Sequence, residues 1–151
     1  KGNWRDGKTM VLGALARGGD VRFKVDKRPT KKAIHGFLNT VVANGAEALY
    51  TDEHSAYVGF ADGDTRHEHV VHRREEWVRG DVHTNGMESV WSLFKRAVVG
   101  SYHQLSEKHL QSYTDEMAWR FNNRDNPFLF RDTLLKLIQS ETLPYSELIA
   151  E

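Results

Sequence analysis

Apolar and polar positions recur along this chain with two periods, and the changes of period divide it into elements. Met10, Val11, Leu12, Ala14 and Leu15 form an almost continuous apolar run within 9–17, the pattern of a strand covered on both faces. Gly18-Gly19-Asp20 reads as a tight turn. Val21, Phe23 and Val25 then alternate with Arg22, Lys24 and Asp26, as in a half-buried strand, so a hairpin is expected. Thr30 stands where a helix N-cap belongs, and Ile34, Phe37, Leu38 and Val41 follow at helical spacing. Asn44-Gly45 is placed to close that helix. Residues 46–51 form a short apolar run ending at Asp52 and read as a strand. Residues 53–64 read as a loop with one helical turn around Tyr57, 67–72 as another short strand, and 73–81 as a charged loop.

Three helices are expected after that. In the first, Met87, Val90, Trp91, Phe94 and Val98 make one apolar stripe at steps of three and four. The second starts after Ser106, with Leu110, Tyr113, Met117 and Phe121 as its stripe. Asn126-Pro127 opens the third, with proline at the first helical position, and Phe130, Thr133, Leu134, Leu137 and Ile138 line it. The order of elements is that of a mixed α/β domain, and 1–151 reads as a single one.

Composition narrows the class. Four Trp, five Tyr and seven Phe support a packed core, so a disordered chain is excluded. No cysteine is present, which removes disulfides and thiolate metal sites from consideration. No apolar run approaches the ~20 residues of a membrane span, and no signal peptide opens the chain, so a cytoplasmic protein without membrane contact is expected. The net charge of zero conceals an asymmetry. Residues 1–32 hold ten Lys and Arg against three Asp and Glu, while the rest of the chain is acidic. A basic end on a neutral protein can steer a polyanion, although it is equally the charge of a solvated loop and strand edge.

Three positions carry candidate chemistry. Asp52 ends a strand, where α/β folds commonly place ligands and catalytic groups. Glu88 falls in the first turn of a helix, and Lys95 lies about two helical turns later on the same face, with Ser92 between them. The apolar stripe points elsewhere, so the outer face offers a carboxylate and an ammonium to something outside. Phosphodiester cleavage needs an activated water or hydroxyl and a stabilised leaving oxygen, which two divalent ions about 3.5–4 Å apart supply. Mg²⁺ is held by a few convergent carboxylates, and a lysine beside them can hold a DNA phosphate. Plainer readings stand beside these. Asn85-Gly86-Met87-Glu88 is equally a capping box, Asp52 a strand end, and Lys95 a solvated residue. His67, His69 and His72 raise a zinc site, but a strand would point His72 to the opposite face. His83, just before Glu88, could touch the site or simply be hydrogen-bonded in a loop.

Two stretches carry a resemblance. These are Tyr50-Thr51-Asp52-Glu53 and Gly80-Asp81-Val82-His83-Thr84-Asn85-Gly86-Met87-Glu88-Ser89-Val90-Trp91-Ser92-Leu93-Phe94-Lys95-Arg96. There the chain resembles bacterial insertion-sequence transposases of the DDE type, in the group with a His-Thr-Asn…Glu…Trp-Ser…Lys-Arg block. The likeness continues through Gly100-Ser101-Tyr102-His103, His109 to Tyr113, Asp115-Glu116 and Arg120-Phe121-Asn122, and the hairpin run Val11 to Leu15 also fits. The resemblance implies an RNase H-like mixed sheet with flanking helices, its first strand missing from this chain. It implies Asp52 and Glu88 as metal-binding acids, Lys95 as a DNA-binding lysine, and Mg²⁺ or Mn²⁺ as the ions, two in an intact site. Arg96, Lys31 and Lys32 are further candidate phosphate contacts. The partners implied are transposon ends and target DNA, with a homo-oligomer expected. The reaction implied is cleavage at the element's end, followed by attack of the freed 3′ hydroxyl on target DNA. The family's first aspartate is expected before residue 1, since Asp6 precedes a strand instead of lying in one, and this chain alone is expected to be inactive. Two other readings stay open: another RNase H-like nuclease, and a non-catalytic transposase remnant that binds DNA.

Overall fold

The computed structural model describes residues 9–27, 30–43, 45–52, 54–60, 65–69, 84–103 and 105–149. The expected hairpin is formed. β1 (Met10–Leu15) pairs antiparallel with β2 (Val21–Asp26), with Met10 opposite Asp26 and Leu15 opposite Val21. Gly18 takes φ 65° in the connecting turn, a left-handed conformation that glycine adopts without steric cost. α1 (Lys31–Val41) starts at Thr30, whose hydroxyl accepts the Ala33 N–H at 3.1 Å. β3 (Ala48–Thr51) and β4 (Arg66–His69) run parallel, with Thr51 opposite His69. One 3-10 turn, Ser55–Tyr57, lies between them. α2 (Asn85–Ala97) passes into a widened π turn over Val98–Tyr102. α3 (Leu110–Asn122), α4 (Leu129–Gln139) and the short α5 (Tyr145–Ile149) complete a mixed α/β domain whose described sheets are two-stranded.

β1 is covered on both faces, as its apolar run requires. Leu12, with Met10 and Ala14 beside it, packs into a cluster with Ile34, Phe37 and Leu38 of α1 and with Phe60. Val11 and Leu15 point to the other side, toward Val21, Phe23, Val90, Met87, Trp91, Ala118 and Phe121. The hairpin is therefore a middle layer between α1 and the α2–α3 pair. Leu49 of β3 joins the α1 cluster, so both strand pairs share one core. On the second face, Phe23 and Trp91 pack with ring centroids 5.4 Å apart, a tilted aromatic contact that adds to area burial.

Three expectations need correction, and others fall partly outside the described residues. α1 ends at Val41 with Val42 as C-cap, earlier than the Asn44-Gly45 stop; Asn44 lies outside the described residues. The Asn85 capping box is not formed. Thr84 is the N-cap; its hydroxyl donates to Glu88 Oε1 at 3.4 Å and caps no helix N–H, and the Glu88 N–H goes to the Thr84 carbonyl at 3.0 Å. α4 begins at Leu129 instead of Pro127, because Asn126 Oδ1 accepts the Phe128 N–H at 2.9 Å and closes a turn before the helix. The described strand β4 covers Arg66–His69, and His72, the 73–81 loop, His83 and the opening segment 1–8 lie outside the described residues. Among the described residues, no helix is long and apolar enough to cross a membrane.

Candidate active site

Asp52 leaves the C-terminal end of β3 with its side chain exposed. Oδ1 accepts the His54 N–H at 3.1 Å, a local turn that fixes the carboxylate's direction. The residue before it is the buried one. Thr51 is 7% exposed, its hydroxyl donates to the Asp52 carbonyl at 3.1 Å, and the same oxygen lies 3.0 Å from Nε2 of His67. β4 thus pins β3 at the point where Asp52 departs. Burial and the nearby charge of Asp52 raise the Tyr57 hydroxyl above its ordinary pKa.

The N-terminus of α1 comes to this corner as well. α1 packs against the Ser55–Tyr57 turn through Ile34, Phe37 and Ala56, and Lys31 Nζ lies 3.7 Å from where a Cβ on Gly59 would stand. Lys31 and Lys32 are exposed at the start of α1, on the same helix surface as His35, Gly36 and Asn39. His35 is held by a 3.0 Å contact between Nε2 and the Ala56 carbonyl.

Glu88 stands in the first turn of α2, exposed, with its N–H bonded to the Thr84 carbonyl at 3.0 Å. Ser92, Lys95 and Arg96 are exposed on the outer side of the helix, and Arg96 Nη1 donates to Ser92 Oγ at 3.3 Å. Val90 is 1% exposed and anchors the inner side. The end of β1 touches the segments on which Glu88 and Asp52 lie. Leu15 Cδ2 is 3.0 Å from the position a Cβ on Gly86 would take, two residues before Glu88. Arg17, just past β1, sits over the Tyr50 ring at 4.6 Å, two residues before Asp52. Lys31 is brought to Gly59, in the segment that follows Asp52, while Lys95 and Arg96 lie further along α2.

Both candidate acids are oxygen donors, the chemistry that Mg²⁺ and Mn²⁺ take. Among the described residues, no group of three or more His, Asp or Glu is close enough to hold an ion. The zinc reading of His67 and His69 gains nothing from this arrangement, since His67 Nε2 is engaged by Thr51. Neither period nor spacing marked Thr51, His67, Tyr57 or Arg17 as neighbours of the Asp52 segment. Their roles come from pairing between β3 and β4 and from the turn after β1, neither of which leaves a periodic signal.

Residues 1–122 match the ISXO2-like transposase domain, a span that contains every candidate residue above. No curated protein and no solved structure matches the chain.

Proposed function

The chain belongs to the ISXO2-like transposase domain family, and we propose that its exposed acids are part of a DDE-type centre for metal-dependent phosphoryl transfer on DNA. In this reading the domain is RNase H-like, with the β1–β2 hairpin, α1 and the parallel β3–β4 pair as parts of that core. Asp52 and Glu88 hold Mg²⁺ or Mn²⁺. Lys95, Arg96, Lys31 and Lys32 contact DNA phosphates at transposon ends and target. The observation that carries the reading is the corner at the end of β1, where Leu15 reaches Gly86 on one side and Arg17 covers Tyr50 on the other. It ties the segments bearing Glu88 and Asp52 to one strand end.

Asp52 and Glu88 would hold the ions, which when bound would supply an activated oxygen nucleophile and a stabilised leaving oxygen. The chain's own groups do the rest. The His54 N–H and the Thr51–His67 pair hold the Asp52 segment in place, so its carboxylate need not be ordered when the ion arrives. The lysines place the phosphodiester by charge, without reading sequence.

The test has two readouts. Mn²⁺ binding is followed by electron paramagnetic resonance, and cleavage of labelled DNA is assayed in Mn²⁺. Asp52→Asn and Glu88→Gln are each expected to weaken Mn²⁺ binding about tenfold or more, at the upper end for loss of a direct ligand. Unchanged Mn²⁺ binding in the double variant would sink the proposal, whatever the level of cleavage.

A further inference from the structure

Arg17 reaches from one strand pair to the other. It is exposed, two residues past the end of β1, and its guanidinium carbon lies 4.6 Å from the centre of the Tyr50 ring. Tyr50 belongs to β3, so the contact crosses from the hairpin to the parallel pair. A guanidinium held over an aromatic ring keeps its charge, and its N–H fork matches a phosphate with two parallel bonds.

The face of β3 that Arg17 meets is the one that leads to Asp52. Successive residues of a strand point to opposite faces. Leu49 packs into the α1 cluster and Thr51 meets His67, so these two mark the inner face of the β3–β4 ribbon. Tyr50 belongs to the other face, with Arg66 and Glu68. Asp52, two residues after Tyr50, is the next position of that alternation. The ring is itself held. Arg66 Nη2 donates to the Tyr50 hydroxyl at 3.4 Å, and Arg66 Nε is paired with Glu68 at 2.8 Å. Glu68 thus steadies Arg66, Arg66 steadies Tyr50, and Tyr50 presents the surface on which Arg17 rests.

The same strand end leads to Glu88. Leu15, two residues before Arg17, has its Cδ2 3.0 Å from where a Cβ on Gly86 would stand, and Gly86 precedes Glu88 by two residues. Lys95 lies seven residues beyond Glu88, ~10 Å along the helix at 1.5 Å per residue. Arg17 is therefore a cation delivered by the strand end that touches both acid-bearing segments, a placement Lys95 does not have.

We propose that Arg17 is a phosphate-binding residue of the Asp52 site, gripping the DNA backbone through its guanidinium fork. The inference rests on the reading of Asp52 and Glu88 as the acids of that site, and it adds a contact to it.

The test is fluorescence anisotropy of labelled duplex DNA with the full chain in Mn²⁺ at several salt concentrations, for the wild type, Arg17→Met and Arg17→Lys. Electron paramagnetic resonance follows Mn²⁺ binding in each. Arg17→Met keeps an apolar stem against Tyr50 and removes the charge. It is expected to weaken DNA binding about tenfold or more, the loss of a charge-assisted hydrogen bond. The salt slope should fall by about 1, with Mn²⁺ binding unchanged. Arg17→Lys is expected to keep the slope and recover only part of the affinity, because an ammonium has no fork. In an Asp52→Asn background the loss caused by Arg17→Met should shrink, since groups that share one ligand are coupled.

Unchanged affinity and slope in Arg17→Met overturn the inference, and so does wild-type affinity in Arg17→Lys. A loss that Asp52→Asn leaves the same size overturns it as well, because the contact then lies elsewhere on the DNA. A wild type that binds no duplex at low salt has the same consequence. Should Arg17→Met lose its far-UV dichroism, Arg17→Lys decides. Each of these results can arise while Asp52→Asn weakens Mn²⁺ binding, so failure here is distinct from failure of the metal-holding reading.

Discussion

The carboxamide of Asn122 makes both hydrogen bonds of a strand partner with Val21. The Val21 N–H donates to Oδ1 at 2.8 Å, and Nδ2 donates to the Val21 carbonyl at 3.0 Å. At the other end of α3, Gln111 Oε1 accepts the Val25 N–H at 2.8 Å. The outer edge of β2 is therefore closed by a helix, which removes a row of groups that could pair with another chain. Val21 is fully buried, so its backbone groups have no water to turn to. Asn122→Leu is expected to destabilise the domain by about 1–3 kcal/mol, the cost of leaving buried backbone groups unpaired. Urea unfolding measures it, and a change within experimental error would show that water takes over the role.

Gly13 is required by its neighbours more than by its own backbone. A Cβ there would stand 2.5 Å from Met87 Cε and 2.8 Å from Trp91 Cζ2. Met87 ends in a flexible methyl that can move aside, whereas the Trp91 ring is held between Phe23 and Phe94. Gly13→Val is expected to cost about 1–3 kcal/mol by overpacking, and more than Gly13→Ala. A double-mutant cycle with Trp91→Leu should show coupling of about 0.5–3 kcal/mol, because the smaller side chain admits the added methyls. Additive effects would mean that the strain goes elsewhere.

Period alone carried most of the fold. The run from Met10 to Leu15 encodes a strand between two layers, and α1 answers it with Ile34, Phe37 and Leu38. The α2 stripe likewise fixes which side of that helix holds Glu88 and Lys95, because Val90 and Trp91 must face the hairpin. What period could not give is direction within the assembly. The α4 stripe is as regular as that of α2, yet it points to solvent, since a pattern says which residues share a face but not what the face meets. The supports of Asp52 were hidden for another reason. Thr51 and His67 meet only because β3 and β4 are parallel and in a particular register.

The exposed face of α1 makes a prediction about DNA. Lys31, Lys32, Gly36 and Asn39 are exposed on α1, and Lys31 reaches toward Gly59 in the segment after Asp52. If Lys32 neutralises a phosphate, Lys32→Ala is expected to weaken binding equally across sequences and to reduce the salt slope by about 1. Fluorescence anisotropy at several salt concentrations checks it. An unchanged slope would remove Lys32 from the interface while leaving Lys95 and Arg96 in question.

Acid should loosen the Asp52 corner through His67. Burial, then the neighbouring His69 and His35, hold the His67 imidazole below its ordinary pKa of 6.5. In the unfolded chain the same ring takes up its proton near pH 6.5. Between the lowered folded value and ~6.5, the unfolded state binds more protons, so stability rises with pH across that window. On acidification, His67's contribution is present above pH ~6.5 and is lost as the pH falls toward the folded value. His67→Gln keeps a group that can pair with the Thr51 hydroxyl but removes the titration. Melting temperatures of both forms from pH 8 to 5 should therefore converge or cross on the acid side, with the wild type falling more steeply below pH ~6.5. Parallel curves would remove His67 from the acid response and leave the Thr51–His67 contact a purely structural one.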